Sequence, residues 1–96
     1  MTRRTKFKFR LFVADHTQNS VQAVANLTAL CQAHLPGRHE IEIVDVLKEP
    51  RRALADGVYM TPTLVRLAPG PARRIIGTLS QAQPVMDAMG LGLGAA

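Results

Sequence analysis

The first hydrophobic pattern along the chain is an alternation of apolar and charged residues over residues 6–13. One set of alternate positions carries Phe7, Phe9, Leu11 and Val13. The other set begins with the cations Lys6, Lys8 and Arg10. A period of two predicts a β-strand, and we expect its apolar face to lie in the core and its cationic face to lie opposite.

A helical period follows this strand. Apolar residues recur at every third or fourth position as Val21, Val24, Leu27, Cys31 and Leu35. We expect Asn19 to cap the start of the helix, because Gln22 lies three residues later and can bond back to the cap. Pro36 and Gly37 should end it.

Residues 40–46 alternate again and predict a second strand, with Ile41 and Ile43 on one face and Glu40 and Glu42 on the other. A strand, a helix and a strand in this order form a right-handed βαβ unit with parallel strands. If the two strands are neighbours, the cations of the first lie on the same face as the acids of the second. Their pairing is one explanation of the N-terminal charge, and a ligand site for the cations is the alternative.

The second half of the chain predicts one short helix and a hairpin. The helix begins at Pro50 and is closed by Gly57. A strand follows Pro62, a tight turn contains residues 69–71, and a second strand covers residues 73–76, so these two strands should run antiparallel. A last helix follows Ser80 and carries Val85, Met86 and Met89.

The order of elements is therefore βαβ followed by αββα, which is an α/β fold in one domain over residues 6–90. We expect a flexible basic N-terminus over residues 1–5 and a flexible tail over residues 91–96. The order, with Thr61, Pro62 and Thr63 leading into the third strand, is that of the thioredoxin-like fold. A possible redox function can thus be examined directly at the start of the first helix.

Cysteine usage argues against that redox function. Redox members of the fold carry two cysteines at the start of the first long helix, because a reactive thiolate is stabilised by the helix N-terminus. Residues 15–20 hold no cysteine, and the single cysteine, Cys31, lies three turns later on the apolar stripe. We expect a buried, unreactive thiol and no disulfide oxidoreductase.

The charge balance is the least ordinary feature of the composition. Twelve Lys and Arg against seven Asp and Glu give a net charge of +5, with a pI near 10.4. A basic balance suggests nucleic acid, an anionic membrane surface or an acidic protein partner. Since the aromatic residues are one Tyr and three Phe, a stacking platform for single-stranded nucleic acid is poorly supported. No apolar stretch approaches the ~18 residues of a membrane span, and we expect a cytoplasmic protein.

The remaining reactive residue types form no catalytic or metal-binding pattern. His34 and His39 flank the break at residues 36 and 37, so they do not share a helix face. Ser20 has no suitable base in the pattern, and we expect it to act in capping. Arg73 and Arg74 are adjacent on a strand and should point to opposite faces, a conflict that is typical of functional segments. We expect no catalysis, no metal and no cofactor.

Five segments, in this order, resemble the KaiB family of bacterial circadian clock proteins, and the resemblance runs without a gap from about residue 6 to residue 90. They are residues 11–14, the helix start at Thr17, Asn19 and Ser20, residues 43–50, residues 61–64 and residues 69–80. The last two segments contain Thr61-Pro62-Thr63-Leu64 and Arg73-Arg74-Ile75-Ile76-Gly77.

The resemblance implies a non-enzymatic clock component. KaiB proteins bind the ATPase ring of the kinase KaiC, sequester its activator KaiA and promote dephosphorylation, and the thioredoxin-like domain of the sensor kinase SasA competes for the same ring. They also switch fold between a resting tetramer, with its own packing of the C-terminal half, and a thioredoxin-like monomer that binds. Two alternatives stay open: a KaiB-like stress-response adaptor that works with a KaiC-like ATPase without KaiA, and a basic nucleic-acid-binding module.

Two sets of residues follow from the resemblance. The partner-binding residues are Lys48, Arg51, Arg52 and Tyr59, in and around the second helix, where exposed Arg and Tyr favour an interface. The switch or oligomer surface comprises Pro62, Pro69, Gly70, Pro71, Arg73 and Arg74. We expect a KaiC-type ATPase ring as partner, with or without a KaiA-like activator, and a resting dimer or tetramer. The chain departs from the family at Gly70, where a proline is usual and where glycine frees the backbone.

Overall fold

The computed structural model describes residues 6–80 and residue 87. Its elements are β1 (Phe7–Val13), α1 (Gln18–His34), β2 (His39–Asp45), α2 (Pro50–Ala55), β3 (Thr63–Ala68) and β4 (Arg73–Ile76). The predicted order is confirmed over these residues. The last helix with Val85, Met86 and Met89, the basic N-terminus and the tail are predictions that lie outside the described residues.

Within the described residues, four strands form one sheet in the order β2-β1-β3-β4. β1 is parallel to β2, with Arg10 opposite Glu42, and antiparallel to β3, with Leu11 opposite Leu64. β3 and β4 form the predicted antiparallel hairpin. The βαβ unit expected from the first 46 residues is thus present, with its two strands as direct neighbours.

β1 supplies side chains to both faces of the sheet. On the α1 side, the core contains the apolar residues Phe7, Phe9, Leu11 and Val13 of β1 together with Ala23, Leu27, Cys31 and Leu35. On the opposite side, a smaller core surrounds Phe12 and contains Val44, Ala53, Val58 and Val65. Phe9, Leu11 and Phe12 are at most 1% exposed, so the central strand is buried on both faces over its middle residues.

The start of α1 differs from the predicted start. The helix begins at Gln18, with Thr17 at the N-cap position and no side-chain cap bond, so the expected cap by Asn19 is wrong. The Thr17 N–H donates to the Ala14 carbonyl and closes a turn before the helix, which places Asn19 inside the first helical turn. Val21 is 53% exposed, because the stripe that faces the sheet begins with Ser20 and Ala23 instead.

Ser20 joins α1 to the end of β1. Its side chain is buried, and its Oγ accepts a hydrogen bond of 3.0 Å from the Ala14 N–H. The expected capping role for Ser20 is therefore corrected: it satisfies a backbone donor just after the strand. A buried N–H without a partner would be destabilising, so this polar residue stabilises the junction that determines where α1 enters the sheet.

The hairpin is tied to its surroundings by polar contacts. The Thr61 to Pro62 peptide bond is cis, and the Pro62 carbonyl accepts a hydrogen bond of 2.9 Å from Gly77 N–H. The Asn26 side chain on α1 donates to the Thr78 carbonyl at 2.7 Å. These bonds fix the segments that precede β3 and follow β4 against the rest of the domain.

The helical stripe of α1 yields a matched pair of substitutions. We expect Leu27→Ala to lower the free energy of unfolding by about 3–5 kcal/mol, because it opens a cavity in the main core. Val21→Ala removes an exposed apolar side chain, and we expect a change within about 0.5 kcal/mol. Urea unfolding followed by circular dichroism measures both values, and similar losses for the two variants would contradict the observed rotation of the helix.

Candidate functional site

A row of ion pairs crosses the sheet face opposite α1. Lys6 Nζ lies 3.0 Å from Glu40 Oε1, and Lys8 Nζ lies 4.0 Å from the other oxygen of Glu40. Arg10 Nε donates to Glu42 Oε1 at 2.8 Å. The predicted pairing between the cations of β1 and the acids of β2 is confirmed, so these cations already have partners within the domain.

The ion pairs continue from the sheet into α2. Arg52 Nη2 lies 2.8 Å from Glu42 Oε2, and its Nη1 lies 3.5 Å from Glu49 Oε1. Arg10 Nη1 donates to Asp56 Oδ2 at 2.9 Å, beyond the end of the helix. We name these five residues, Arg10, Glu42, Glu49, Arg52 and Asp56, the Glu42 network, since Glu42 contacts one arginine with each oxygen.

Hydrogen bonding in this region shifts the ionisation of the carboxyl groups. Bonds from Arg10 and then from Arg52 lower the pKa of Glu42. The bond from Lys6 lowers the pKa of Glu40. In return, the bonds to Glu42 and then to Asp56 raise the pKa of Arg10. Each shift favours the charged form, so the pairs are complete at neutral pH.

α2 is a short helix with little apolar anchorage. Pro50 occupies its first turn, where the missing N–H costs nothing, and Gly57 follows it with φ +68°, a conformation that glycine adopts without strain. Among its six residues, Ala53 alone is buried. At 100° per residue, Arg51 then points away from the sheet and Arg52 lies on the flank that faces β2.

The four predicted partner-binding residues therefore divide into two kinds. Lys48, Arg51 and Tyr59 are exposed, and Tyr59 is 83% exposed. Arg52 is directed into the Glu42 network. Adjacent arginines on this helix thus have different surroundings, which residue type alone could not reveal.

Several apolar residues of the same region were missed by sequence reasoning. Leu47, Leu54 and Met60 are 68%, 66% and 60% exposed. We define the α2 surface as Leu47, Lys48, Arg51, Leu54, Tyr59 and Met60. Exposed apolar side chains in one region mark interaction sites. The sequence does contain a signal for Leu54: in a helix of six residues whose buried residue is Ala53, the adjacent leucine is turned away from the core.

The six residues of the predicted switch surface lie at both ends of β3 and at the start of β4. Pro62 is buried before β3, whereas Pro69, Gly70 and Pro71 form the connection between β3 and β4. Arg73 is exposed, and the residue opposite it on β3 is the buried Arg66, whose Nη2 donates to the Pro71 carbonyl at 3.1 Å. The proposed switching role of this set stays a prediction.

Arg74 belongs with α2 in space. Its Nη1 donates to the Gly57 carbonyl at 3.0 Å, and its Nη2 donates to the Asp56 carbonyl. A cation at the C-terminal end of a helix satisfies carbonyls that have no helical partner and interacts favourably with the helix dipole. Arg74 therefore joins β4 to the end of the helix that carries the α2 surface.

Other chemistry is limited in the described part of the chain. Residues 6–80 and 87 contain no group of three His, Cys, Asp or Glu that could hold a metal ion. No helix in the same residues is long and apolar enough to cross a membrane. Cys31 is buried, and burial raises its pKa to about 11, so its thiol is protonated at neutral pH.

Comparison with known proteins identifies the relatives of the chain. The model of the KaiB domain matches residues 10–90. The circadian clock protein KaiB3 of Synechocystis is 39% identical over 77 residues, which cover 80% of this chain and 76% of that protein.

Solved structures give the fold. The N-terminal domain of Synechococcus elongatus SasA matches with a TM-score of 0.66 at 22% identity, covering 100% of this chain and 94% of that domain. Mitochondrial thioredoxin 3 of Saccharomyces cerevisiae matches with a TM-score of 0.72 at 22% identity, covering 91% and 79%. The predicted thioredoxin-like fold is thus confirmed.

The lowered pKa values predict an acid-sensitive stability. A carboxyl group whose pKa is lower in the folded state contributes stability above its unfolded pKa of ~4.3 and loses it as the pH falls through the folded value. We expect the thermal midpoint to fall between about pH 5 and pH 3, and Glu42→Gln to reduce that fall. Scanning calorimetry across this range measures it; identical pH profiles for the two proteins would contradict the contribution of Glu42.

The buried thiol predicts low reactivity. At pH 8 we expect Cys31 to react with Ellman's reagent at least 100-fold more slowly in the native protein than in urea, because burial restricts access and keeps the thiol protonated. Absorbance of the released thiolate measures both rates. Rapid labelling of the native protein would instead indicate a reactive cysteine.

Proposed function

Because the chain belongs to the KaiB family, we propose that it docks through its α2 surface on a KaiC-type ATPase ring and modulates the phosphorylation state of that ring. Its action is binding, with no catalytic step and no cofactor, and it takes place in the cytoplasm. A KaiA-like activator is a further partner where one exists.

The exposure of the α2 surface is the observation that carries this proposal. Four large apolar side chains and the cations Lys48 and Arg51 face outward. The acids of the same segment, Glu49 and Asp56, are paired with Arg52 and Arg10. The outward field is therefore positive, and the complementary partner is an apolar protein surface with carboxylates at its rim.

The α2 surface suits a protein partner better than a nucleic acid. Nucleic-acid affinity grows with the number of phosphates that cations neutralise, whereas Lys6, Lys8, Arg10 and Arg52 are held in ion pairs within the domain. Exposed tyrosine and arginine beside apolar residues are typical of protein interfaces. A nucleic-acid-binding module would need cations that are available to phosphates, and these four already form ion pairs within the domain.

We also propose that the C-terminal half has a second packing in a resting dimer or tetramer, with Pro62, Pro69, Gly70, Pro71, Arg73 and Arg74 at the switching or oligomer surface. The short β4 and its attachment to α2 through the Arg74 side chain support this proposal, since few contacts join β4 to the helix. Two packings that differ by a few kcal/mol are sufficient for such a switch.

The docking proposal predicts a loss of affinity on substitution in the α2 surface. We expect Tyr59→Ala and Arg51→Glu each to weaken binding to the ATPase ring by about tenfold or more, because anchors of these types contribute 1–2 kcal/mol or more. Isothermal titration with the ring in its ATP-bound and ADP-bound states measures the change.

Lys6→Gln is the matched control for this experiment, because it removes an exposed cation that pairs with Glu40 away from α2. We expect its affinity to equal that of the unaltered protein. Failure of the unaltered protein to bind in both nucleotide states would contradict the proposed function. Binding that is insensitive to both α2 variants would place the interface elsewhere.

A further inference from the structure

The orientation of α2 depends on charged contacts to an unusual degree. An isolated helix of six residues is unstable in water, and the cap position at Glu49 provides no side-chain bond. Ala53 contributes a single buried methyl group from within the helix, and Val58 adds apolar contact only after the helix has ended. Apolar packing thus anchors one side of α2 and leaves its rotation weakly determined.

The Glu42 network supplies the missing constraints. Arg52 lies about 100° around the helix from Ala53, and its contact with Glu42 at 2.8 Å fixes that flank to β2. The contact between Arg10 and Asp56 at 2.9 Å holds the end of the helix to β1. Together with the bonds from Arg74 to the Asp56 and Gly57 carbonyls, one buried methyl group and two ion pairs at different positions around and along the helix define the orientation of α2.

We propose that Arg52 is a positioning residue: through Glu42 it sets the orientation in which α2 presents its exposed face, and it acts on binding through the helix without contacting the partner. The binding part of this proposal rests on the proposed function, whereas its structural part concerns the free protein. Arg51, one residue earlier, is then a contact residue whose removal leaves the helix in place.

Hydrogen exchange of three amides measures how firmly the end of α2 is held. The N–H groups of Asp56, Gly57 and Val58 donate to carbonyls of residues 52, 54 and 53 respectively, so they report opening of the helix end. In Arg52→Gln we expect these amides to exchange about two- to fivefold faster, as loss of a partly exposed ion pair implies. Core amides of β1 should be unchanged, and Arg52→Lys should recover most of the protection.

Two further variants separate positioning from a general loss of charge. Glu42→Gln should accelerate the same amides, and in the double variant with Arg52→Gln the acceleration should be smaller than the product of the two single effects, because both substitutions remove the Arg52–Glu42 contact. Glu40→Gln breaks an ion pair on the same sheet face that does not involve α2, so we expect unchanged protection. Unchanged α2 exchange in Arg52→Gln would overturn the proposal, whatever the binding result.

Affinity for the ATPase ring then distinguishes the two arginines. Arg52→Gln should weaken binding about as much as it accelerates exchange, and Arg52→Lys should restore both. Arg51→Gln should weaken binding with no change in exchange. Loss of affinity in Arg52→Lys with full α2 protection would make Arg52 a contact residue and overturn the positioning role. If the unaltered protein does not bind, the docking proposal fails and the exchange experiment still decides whether the network positions α2.

Discussion

The two-sided burial of β1 is the constraint on which the other elements depend. Its alternate positions direct phenylalanine and aliphatic side chains toward α1, while Phe12 fills the smaller core below α2. Arg10 lies on the α2 side of the sheet and is half-buried, and a cation withdrawn from water without a partner is costly. Glu42 of β2 and Asp56, just after α2, provide the partners, so the packing of one strand determines both the helix layer and the ionic contacts opposite it.

Sequence reasoning succeeded where a contact follows directly from a local pattern. Alternation in β1 and β2 gives the faces of both strands, and the parallel βαβ rule then brings Arg10 next to Glu42. The same reasoning missed the contact of Arg10 with Asp56, because that contact depends on how α2 packs. It also assigned Ser20 and Val21 wrongly. The rotation of α1 about its axis is set by contacts with the sheet, and the spacing of apolar residues alone defines that rotation only to within about one residue.

At the candidate site, the limit of reasoning from residue patterns alone is clearer still. Lys48, Arg51, Arg52 and Tyr59 were grouped by residue type and family resemblance, and type alone makes the two arginines equivalent. The buried methyl group of Ala53 separates them, since it turns Arg51 outward and Arg52 toward β2. Arg74, assigned from sequence to a different surface, lies at the end of the same helix because the hairpin folds back along the sheet. Contacts between residues distant in the chain therefore define the site.

The chain has a net charge of +5, and these contacts separate cations that are held within the domain from cations that are not. Lys6, Lys8, Arg10 and Arg52 pair with acids, and Arg66 and Arg74 donate to backbone carbonyls. Among the described residues, Lys48, Arg51 and Arg73 make no such contact, and the first two lie beside exposed apolar side chains. A surface of this kind gains little affinity from the phosphate backbone of a nucleic acid, which offers negative charges but no matching apolar surface. It gains most affinity from a folded protein that presents both negative charges and apolar side chains, because desolvation of the apolar centre strengthens the charge pairs at its rim.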